Sequence, residues 1–352
     1  MKYLLTTLAV LLLTLPLFAK TEKILGETFV ATMQYPTKLA YDKIEPGSVE
    51  VRNVYNPQKP EKNYFGGPML IYEEGKDYVI DYEKGTISRC EGSRIPDYIN
   101  NSTARMKVFN HSDPWVNAGN WQYITYIDYT TTNYQDYFDK THQGKYLPKT
   151  LKALKEGKPI RYVAYGDSIT AFGGCTDIEN TMYYYRWVHH LENKFKNAKV
   201  TIINGATGGD TSAEGVMRLE EKCLKENPDL VSIAFGMNDN NTISGIDQAK
   251  YEELLQNMVY RIKVQNPDCE IIILSSFHPR ENWFYNSHQM DEYTKTAEKV
   301  AKKNNLAFVN IDKAMEKFFE IKGQPALLDN NINHPTDFAN WIFFKQMEAA
   351  LF

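Results

Sequence analysis

The chain has only four cysteines in 352 residues: Cys90, Cys175, Cys223 and Cys269. No two form a CxxC pair and none clusters with histidine, so nothing argues for a metal site or a dithiol redox motif. An excess of charge is also missing. The net charge is −4, so composition points neither to nucleic acid nor to an anionic membrane. Beyond residue 19 no apolar run approaches the ~20 residues needed to span a bilayer. Internal repeats and low-complexity tracts are absent, and no cofactor motif is found. The glycine pair Gly208-Gly209 lacks the Gly-Lys-Ser/Thr continuation of a phosphate loop.

What is present is an ordinary globular composition, 43% hydrophobic and 24% charged, at a length that fits two domains or one large one. Residues 1–19 read as a secretory signal peptide. Lys2 supplies the positive end, Leu4 to Phe18 the apolar stretch and Ala19 the small residue for cleavage, although Leu17 is not the preferred small type. No cysteine follows for a lipid anchor. The expectation is a secreted or periplasmic protein without stable membrane insertion. Export permits disulfides, and a Cys175–Cys223 bridge would stiffen the loop after Ser168; buried free thiols are the alternative.

From residue 20 to about 145 the sequence offers almost no helix. Ser48–Val51, Met69–Tyr72, Tyr78–Tyr82 and Trp121–Ile127 are short runs rich in β-branched and aromatic residues, separated by turns such as Glu45-Pro46-Gly47 and Lys84-Gly85. This spacing predicts a small all-β, sandwich-like domain. Aromatics reach 13%, with 24 tyrosines. They suit a surface that stacks on sugars, and equally they suit strands.

After a short helix at Leu147–Gly157 the pattern changes. Apolar strands at Tyr162–Gly166, Val200–Asn204, Leu230–Phe235, Glu270–Ser275 and Ala307–Ile311 alternate with helices at Met182–Lys196, Ala213–Lys225, Asp247–Gln265 and His288–Lys303. A last helix runs from Thr336 to Leu351. Continuous apolar strands are covered on both faces, so residues 146–352 form an α/β domain built on an open parallel sheet. Functional groups of such sheets gather beyond the carboxyl ends of the strands. Three motifs stand there: Gly166-Asp167-Ser168, Gly208-Gly209-Asp210-Thr211 and Gly236-Met237-Asn238-Asp239. A fourth, Asn333-His334-Pro335, precedes the final helix.

Each motif has a bland reading. Ser168 could cap a helix, Gly209 could sit in a plain connection capped by Asp210 or Thr211, and Asn238 and His334 could be solvated turns. Together they make an acyl-transfer kit. Ser168 is the nucleophile and His334 the base that activates it. The Ser168 and Gly209 N–H groups and the Asn238 amide are oxyanion donors. Thr170 occupies the place of the second glycine in a GxSxG elbow, so this is not the α/β-hydrolase signature. Of the other histidines, His278 follows the fourth strand and could contact substrate.

The four motifs in this order resemble the SGNH (GDSL-type) hydrolases, over about residues 160–352. The resemblance implies a flavodoxin-like five-stranded sheet of order 2-1-3-4-5 with helices on both faces. It also implies a cofactor-free serine esterase in which Ser168, Gly209, Asn238 and His334 take the four named roles. With an export signal and a β-domain in front, the chain is similar to carbohydrate esterases that remove O-acetyl groups, so an acetylated polysaccharide or oligosaccharide is the expected substrate. Asn240, Asn241, Arg280, Trp283 and Tyr285 are loop residues suited to sugars. A lipase-like or lysophospholipase esterase is the rival enzyme, and a glycan-binding protein with an inactive hydrolase domain the rival of another class.

One position departs from the family. Its members carry Asp three residues before the histidine, and here that residue is Asn331. Asp329, five residues before His334, could orient the imidazole. So could Asn331, a backbone carbonyl or an acid from elsewhere. The choice matters, since Asp→Asn in a serine protease triad costs ~10⁴ in kcat. The sequence favours Asp329, with Asp329→Ala expected to lower kcat by roughly 10² or more and Asn331→Ala to be mild.

Overall fold

The computed structural model describes residues 20–61 and 67–352; the signal peptide read at residues 1–19 lies outside them. The chain opens with strand β1 (Lys20–Phe29), followed by β2 (Thr37–Lys38), β3 (Glu50–Arg52), β4 (Ile71–Tyr72), β5 (Tyr78–Asp81), β6 (Thr86–Arg89) and β7 (Thr125–Tyr134). These make two antiparallel sheets, β1-β7-β3-β4 and β2-β6-β5. Strand β1 falls in the expected β-rich region, in a stretch where the sequence analysis names no particular strand. Trp121–Tyr123, expected as the start of a strand, is a 3-10 turn, and the strand proper begins at Thr125.

Helix α1 (Pro148–Glu156) leads into the second half. Pro148 sits in its first turn, and Gly157 closes it in the left-handed region at φ 67°. Then follow β8 (Pro159–Gly166), α2 (Ser168–Ala171), α3 (Ile178–Thr181), α4 (Tyr183–Lys194), β9 (Lys199–Asn204), α5 (Ser212–Lys222), β10 (Leu230–Ala234), α6 (Gln248–Gln265), β11 (Glu270–Leu274), α7 (Met290–Lys303), β12 (Ala307–Val309), α8 (Ile311–Lys322) and α9 (Asp337–Leu351). The five strands β8–β12 form one all-parallel sheet, β9-β8-β10-β11-β12, which is order 2-1-3-4-5. Tyr162, Val163, Ala164 and Tyr165 of β8 are all buried, as are Val231 and Ile233 of β10 and Ile271–Leu274 of β11. Helix α4 packs on α9, while α5, α6 and α7 pack side by side as a second row.

Helix α8 is absent from the sequence expectations. Its signal is the set Ile311, Ala314, Met315, Phe318 and Lys322, all buried and spaced for one helical face. It also shortens the fifth strand. The Asn310 side chain accepts the Lys313 N–H at 3.0 Å and starts the helix at Ile311, so the strand ends at Val309, two residues before its expected end.

The apolar core does not stop between the two halves. Phe29, Ile127 and Tyr129 from the antiparallel sheets belong to one buried cluster with Phe318, Phe338 and Leu351. Where the parallel sheet reverses its winding, β9 and β10 flank β8 on opposite sides. The crevice that forms beyond the carboxyl ends there is the place open α/β sheets use for ligands.

Candidate active site

Gly166 ends β8 in a tight space: a Cβ there would stand 2.5 Å from the Ala234 carbonyl and 2.6 Å from Thr170 Oγ1. The chain then turns sharply into α2. Asp167 caps it by accepting the Ile169 N–H at 2.9 Å. Burial raises the Asp167 carboxyl to about 8, and the nearby Asp239 and Asp210 push in the same direction. Ser168 is the first residue of α2 and is itself buried.

The second loop runs alongside it. Thr207 N–H donates to the Gly166 carbonyl at 3.0 Å, and a Cβ on Gly208 would stand 3.9 Å from Ser168 Cβ. Gly209 adopts φ +82°, open to glycine and unfavourable for other residues. Thr211 and Glu214 form the capping box of α5. The third loop is tied to the second. Asn238 Nδ2 donates to the Asp210 carbonyl at 2.8 Å, and Asp239 accepts both the N–H and the hydroxyl of Ser212. Burial raises Asp239 to about 6. Asn238 spends one amide hydrogen on Asp210 and retains the other. Among the described residues, neither the Ser168 nor the Gly209 N–H has a hydrogen-bond partner.

His334 reaches this edge from the loop before α9. Its Nε2 lies 3.0 Å from Ser168 Oγ. The loop is closed at its base by Thr336 N–H to Leu327 O and by Asp329 N–H to His334 O, both 2.9 Å. Its turn is organised by Asn330, whose Oδ1 accepts the N–H groups of Ile332, Asn333 and His334. Phe172 stands edge-on to the imidazole, ring centroids 5.3 Å apart. Burial lowers the His334 imidazole to about 4, so the ring is neutral at pH 7 and able to accept a proton.

The expected bond from Asp329 to the imidazole is not formed. The Asp329 carboxyl is buried against Gly174, its Oδ1 has no hydrogen-bond partner, and burial followed by the nearby Asp337 holds it well above the usual carboxylate range. Among the described residues the only hydrogen bond of the His334 ring goes to Ser168. Asn331 does not orient the ring either. Its Oδ1 accepts from Tyr98 OH and Arg280, and its Nδ2 donates to Thr103 Oγ1.

The expected sugar contacts are largely internal wiring. Arg280 binds Asn331 and Asn282. Asn240 is fully buried against Ser287 and Asn286. Trp283 is 5% exposed and donates its indole N–H to His111. His278 bonds Asp312 at 2.8 Å and is raised chiefly by it. All four cysteines are free, so the Cys175–Cys223 bridge is not made. Cys175 lies among Asp337, Thr181 and Arg186, whereas Cys223 neighbours Cys269. Among the described residues no helix is long and apolar enough to cross a membrane.

The model of the GDSL-like lipase/acylhydrolase family matches residues 164–341, from the end of β8 into α9 and across all four motif residues. The chain belongs to this family. Family membership makes it an ester hydrolase, and its parallel sheet has the strand order that the resemblance implies. Similar solved structures include an acetylxylan esterase from Geobacillus stearothermophilus, 22% identical, with a TM-score of 0.46 over 54% of this chain and 93% of that one. Another is a two-domain esterase active on acetylated mannans, 22% identical, with a TM-score of 0.48 over 59% of this chain and 54% of that one. No curated protein matches the chain.

Residues missed by the sequence analysis surround the histidine loop. Asn120, Tyr98 and Thr103 touch it from more than 200 positions away, and no local pattern marks them. Phe172 carried a weak signal, a large apolar residue four positions past the serine.

Proposed function

We propose that the chain is a secreted serine esterase that works through an acyl-enzyme, with O-acetylated carbohydrate as substrate. The observation that carries the mechanism is the 3.0 Å contact between Ser168 Oγ and His334 Nε2. A serine hydroxyl is a poor nucleophile until an adjacent base takes its proton, and this distance permits that transfer. Ser168 Oγ attacks the ester carbonyl while its proton passes to Nε2. The carbonyl oxygen becomes an oxyanion, held by the Ser168 and Gly209 N–H groups and the second amide hydrogen of Asn238. His334 returns the proton to the leaving alkoxide, and water, activated in the same way, releases the acid and restores Ser168. No cofactor enters.

The domain assignment follows the same reading: a signal peptide over residues 1–19, a β-domain over 20–145 and the hydrolase over 146–352. Asp329 is not assigned the orienting role, since its carboxyl faces Gly174. For the substrate, Phe172 borders the site beside the imidazole and against Gly208 and keeps 43% of its surface exposed. Acetylated glycans are the substrate class of both similar esterases named above, and the proposal shares it.

Two measurements test this. Ser168→Ala in the full chain is expected to abolish hydrolysis of p-nitrophenyl acetate; retained turnover in a pure sample refutes the nucleophile. Acetate release from a panel of acetylated glycans, set beside rates on long-acyl esters, tests the substrate. Faster turnover of the long-acyl esters would replace it with a lipid.

A further inference from the structure

The loop from Pro325 to Asp337 carries His334, and among the described residues its imidazole has no carboxylate partner. Much of what holds the loop comes from the other half of the molecule. Asn120, fully buried, donates its backbone N–H to the Asp329 carbonyl at 2.7 Å. Its side-chain amide donates to the carbonyls of Leu328, at 3.1 Å, and Pro325. Tyr98 OH donates to Asn331 Oδ1 at 3.1 Å, and Thr103 Oγ1 takes the Asn331 amide. On the far side of the loop, Thr28 Oγ1 donates to the Ala326 carbonyl at 2.6 Å and lies 3.0 Å from Thr336 Oγ1. Tyr126 OH donates to Asp337 at 3.0 Å. The hydrolase half adds backbone bonds from Gly174 N–H to Pro335 O at 2.9 Å and from Arg280 N–H to Ile332 O at 2.6 Å, the Arg280 guanidinium on Asn331 Oδ1, and the Thr176 N–H and hydroxyl on Asp337 at 3.0 and 2.9 Å.

We infer that the N-terminal β-region is a positioning element of the active site. It clamps the histidine loop from Thr28, Tyr98, Thr103, Asn120 and Tyr126, and so does by loop anchoring what a carboxylate bonded to the imidazole does elsewhere. Three features support this. The bonds fall on both arms of the loop, at 325–331 and 336–337, so they fix where its base and turn lie relative to Ser168. Among the described residues the Pro325, Ala326 and Asp329 carbonyls accept no other hydrogen bond, and an unmet buried polar group costs about 1–3 kcal/mol. And the residue at the family's acid position, Asn331, is itself one of the anchoring points. A ring held only through its backbone needs that backbone held closely, because the productive geometry of a base tolerates little displacement. Asn120 and Tyr98 are positioning residues in this scheme; neither meets substrate.

The inference rests on the Ser168–His334 reading, and the test separates the two. Tyr98→Phe removes one hydroxyl and keeps the ring, and Asn120→Ala removes the bonds to the Leu328 and Pro325 carbonyls. Both are made in the full chain beside Ser168→Ala and assayed on p-nitrophenyl acetate well below their melting temperatures. The expected result is a kcat per folded molecule reduced about tenfold, with KM within about twofold. Loss of stability alone would leave that quantity unchanged. Asn331→Asp, which restores the family's acid in sequence, is expected to bring no gain in kcat, because that side chain points at Tyr98 and Arg280. Unchanged kcat in both anchoring variants, or a gain in Asn331→Asp, overturns the inference while leaving Ser168 and His334 in their roles. Should Asn120→Ala not fold, Tyr98→Phe decides alone. Turnover by Ser168→Ala overturns both readings.

Discussion

Gly174 has no side chain because Asp329 occupies the space: a Cβ on Gly174 would stand 2.3 Å from Asp329 Cγ. The carboxyl is thereby packed into the loop after α2 and away from the imidazole. Asp329→Asn is therefore expected to keep kcat within about threefold of the parent, where loss of a positioned acid–base group would cost ~10² or more. The same variant reports on burial. The folded chain keeps the Asp329 proton well above the usual range, while the unfolded chain releases it near pH ~4. Wild-type stability contributed by this group thus falls as pH rises above ~4. Asp329→Asn should melt higher than wild type at pH 7 and level with it at pH 4. A hundredfold loss of kcat would return Asp329 to the catalytic role.

The pH profile of the parent enzyme follows from His334. The base must be neutral, and burial lowers it to about 4 in the folded chain. kcat/KM, which reports the free enzyme, is expected to stay level from pH 7 down to about 5 and to be halved near 4. An exposed histidine would halve it near ~6.5. The sign for stability is the opposite of that for Asp329. The unfolded chain takes up this proton near ~6.5 and the folded chain not until about 4, so stability drops as pH falls through that window. An acid limb at 6.5 or above would show the ring to be hydrated or bonded to a carboxylate.

Asn238 spends one amide hydrogen on the Asp210 carbonyl, which aims the other. Asn238→Ala is expected to lower kcat by ~10²–10³ with little change in KM, the size of effect seen when one oxyanion donor is lost. Steady-state kinetics on p-nitrophenyl acetate checks this, and a rise in KM at constant kcat would make Asn238 a ground-state contact.

Much of this was legible in the chain. Continuous apolar strands such as Tyr162–Gly166 and Leu230–Phe235, divided by amphipathic helices, specify a parallel sheet, and strand-end logic alone brings Ser168, Gly209 and Asn238 to one edge. Other features were hidden for physical reasons. With Asn331 at the family's acid position, Asp329 is the nearest acid before His334, but side-chain direction depends on the turn that Asn330 organises and on the space that Gly174 leaves. Asn120 and Tyr98 are 208 and 233 positions from their partners, beyond the reach of any periodicity. Helix α8 carries an apolar helical spacing at Ile311, Ala314, Met315 and Phe318, masked because the apolar run of the strand before it continues two residues past the strand's end.

The ammonium of Lys322 and the carboxylate of Glu27 form an ion pair in which neither side chain is exposed, with Tyr129 OH bonded to the same carboxylate at 2.6 Å. One member belongs to α8 and the other to β1, at opposite ends of the chain. Buried charges tolerate separation poorly, since each alone is far costlier than the pair. Genetic exchange of the first 145 residues for another β-domain would strand Lys322 unless the newcomer carried an acid at the same place. The two halves are thus joined by a pair that neither can lose alone without leaving a buried charge in the other.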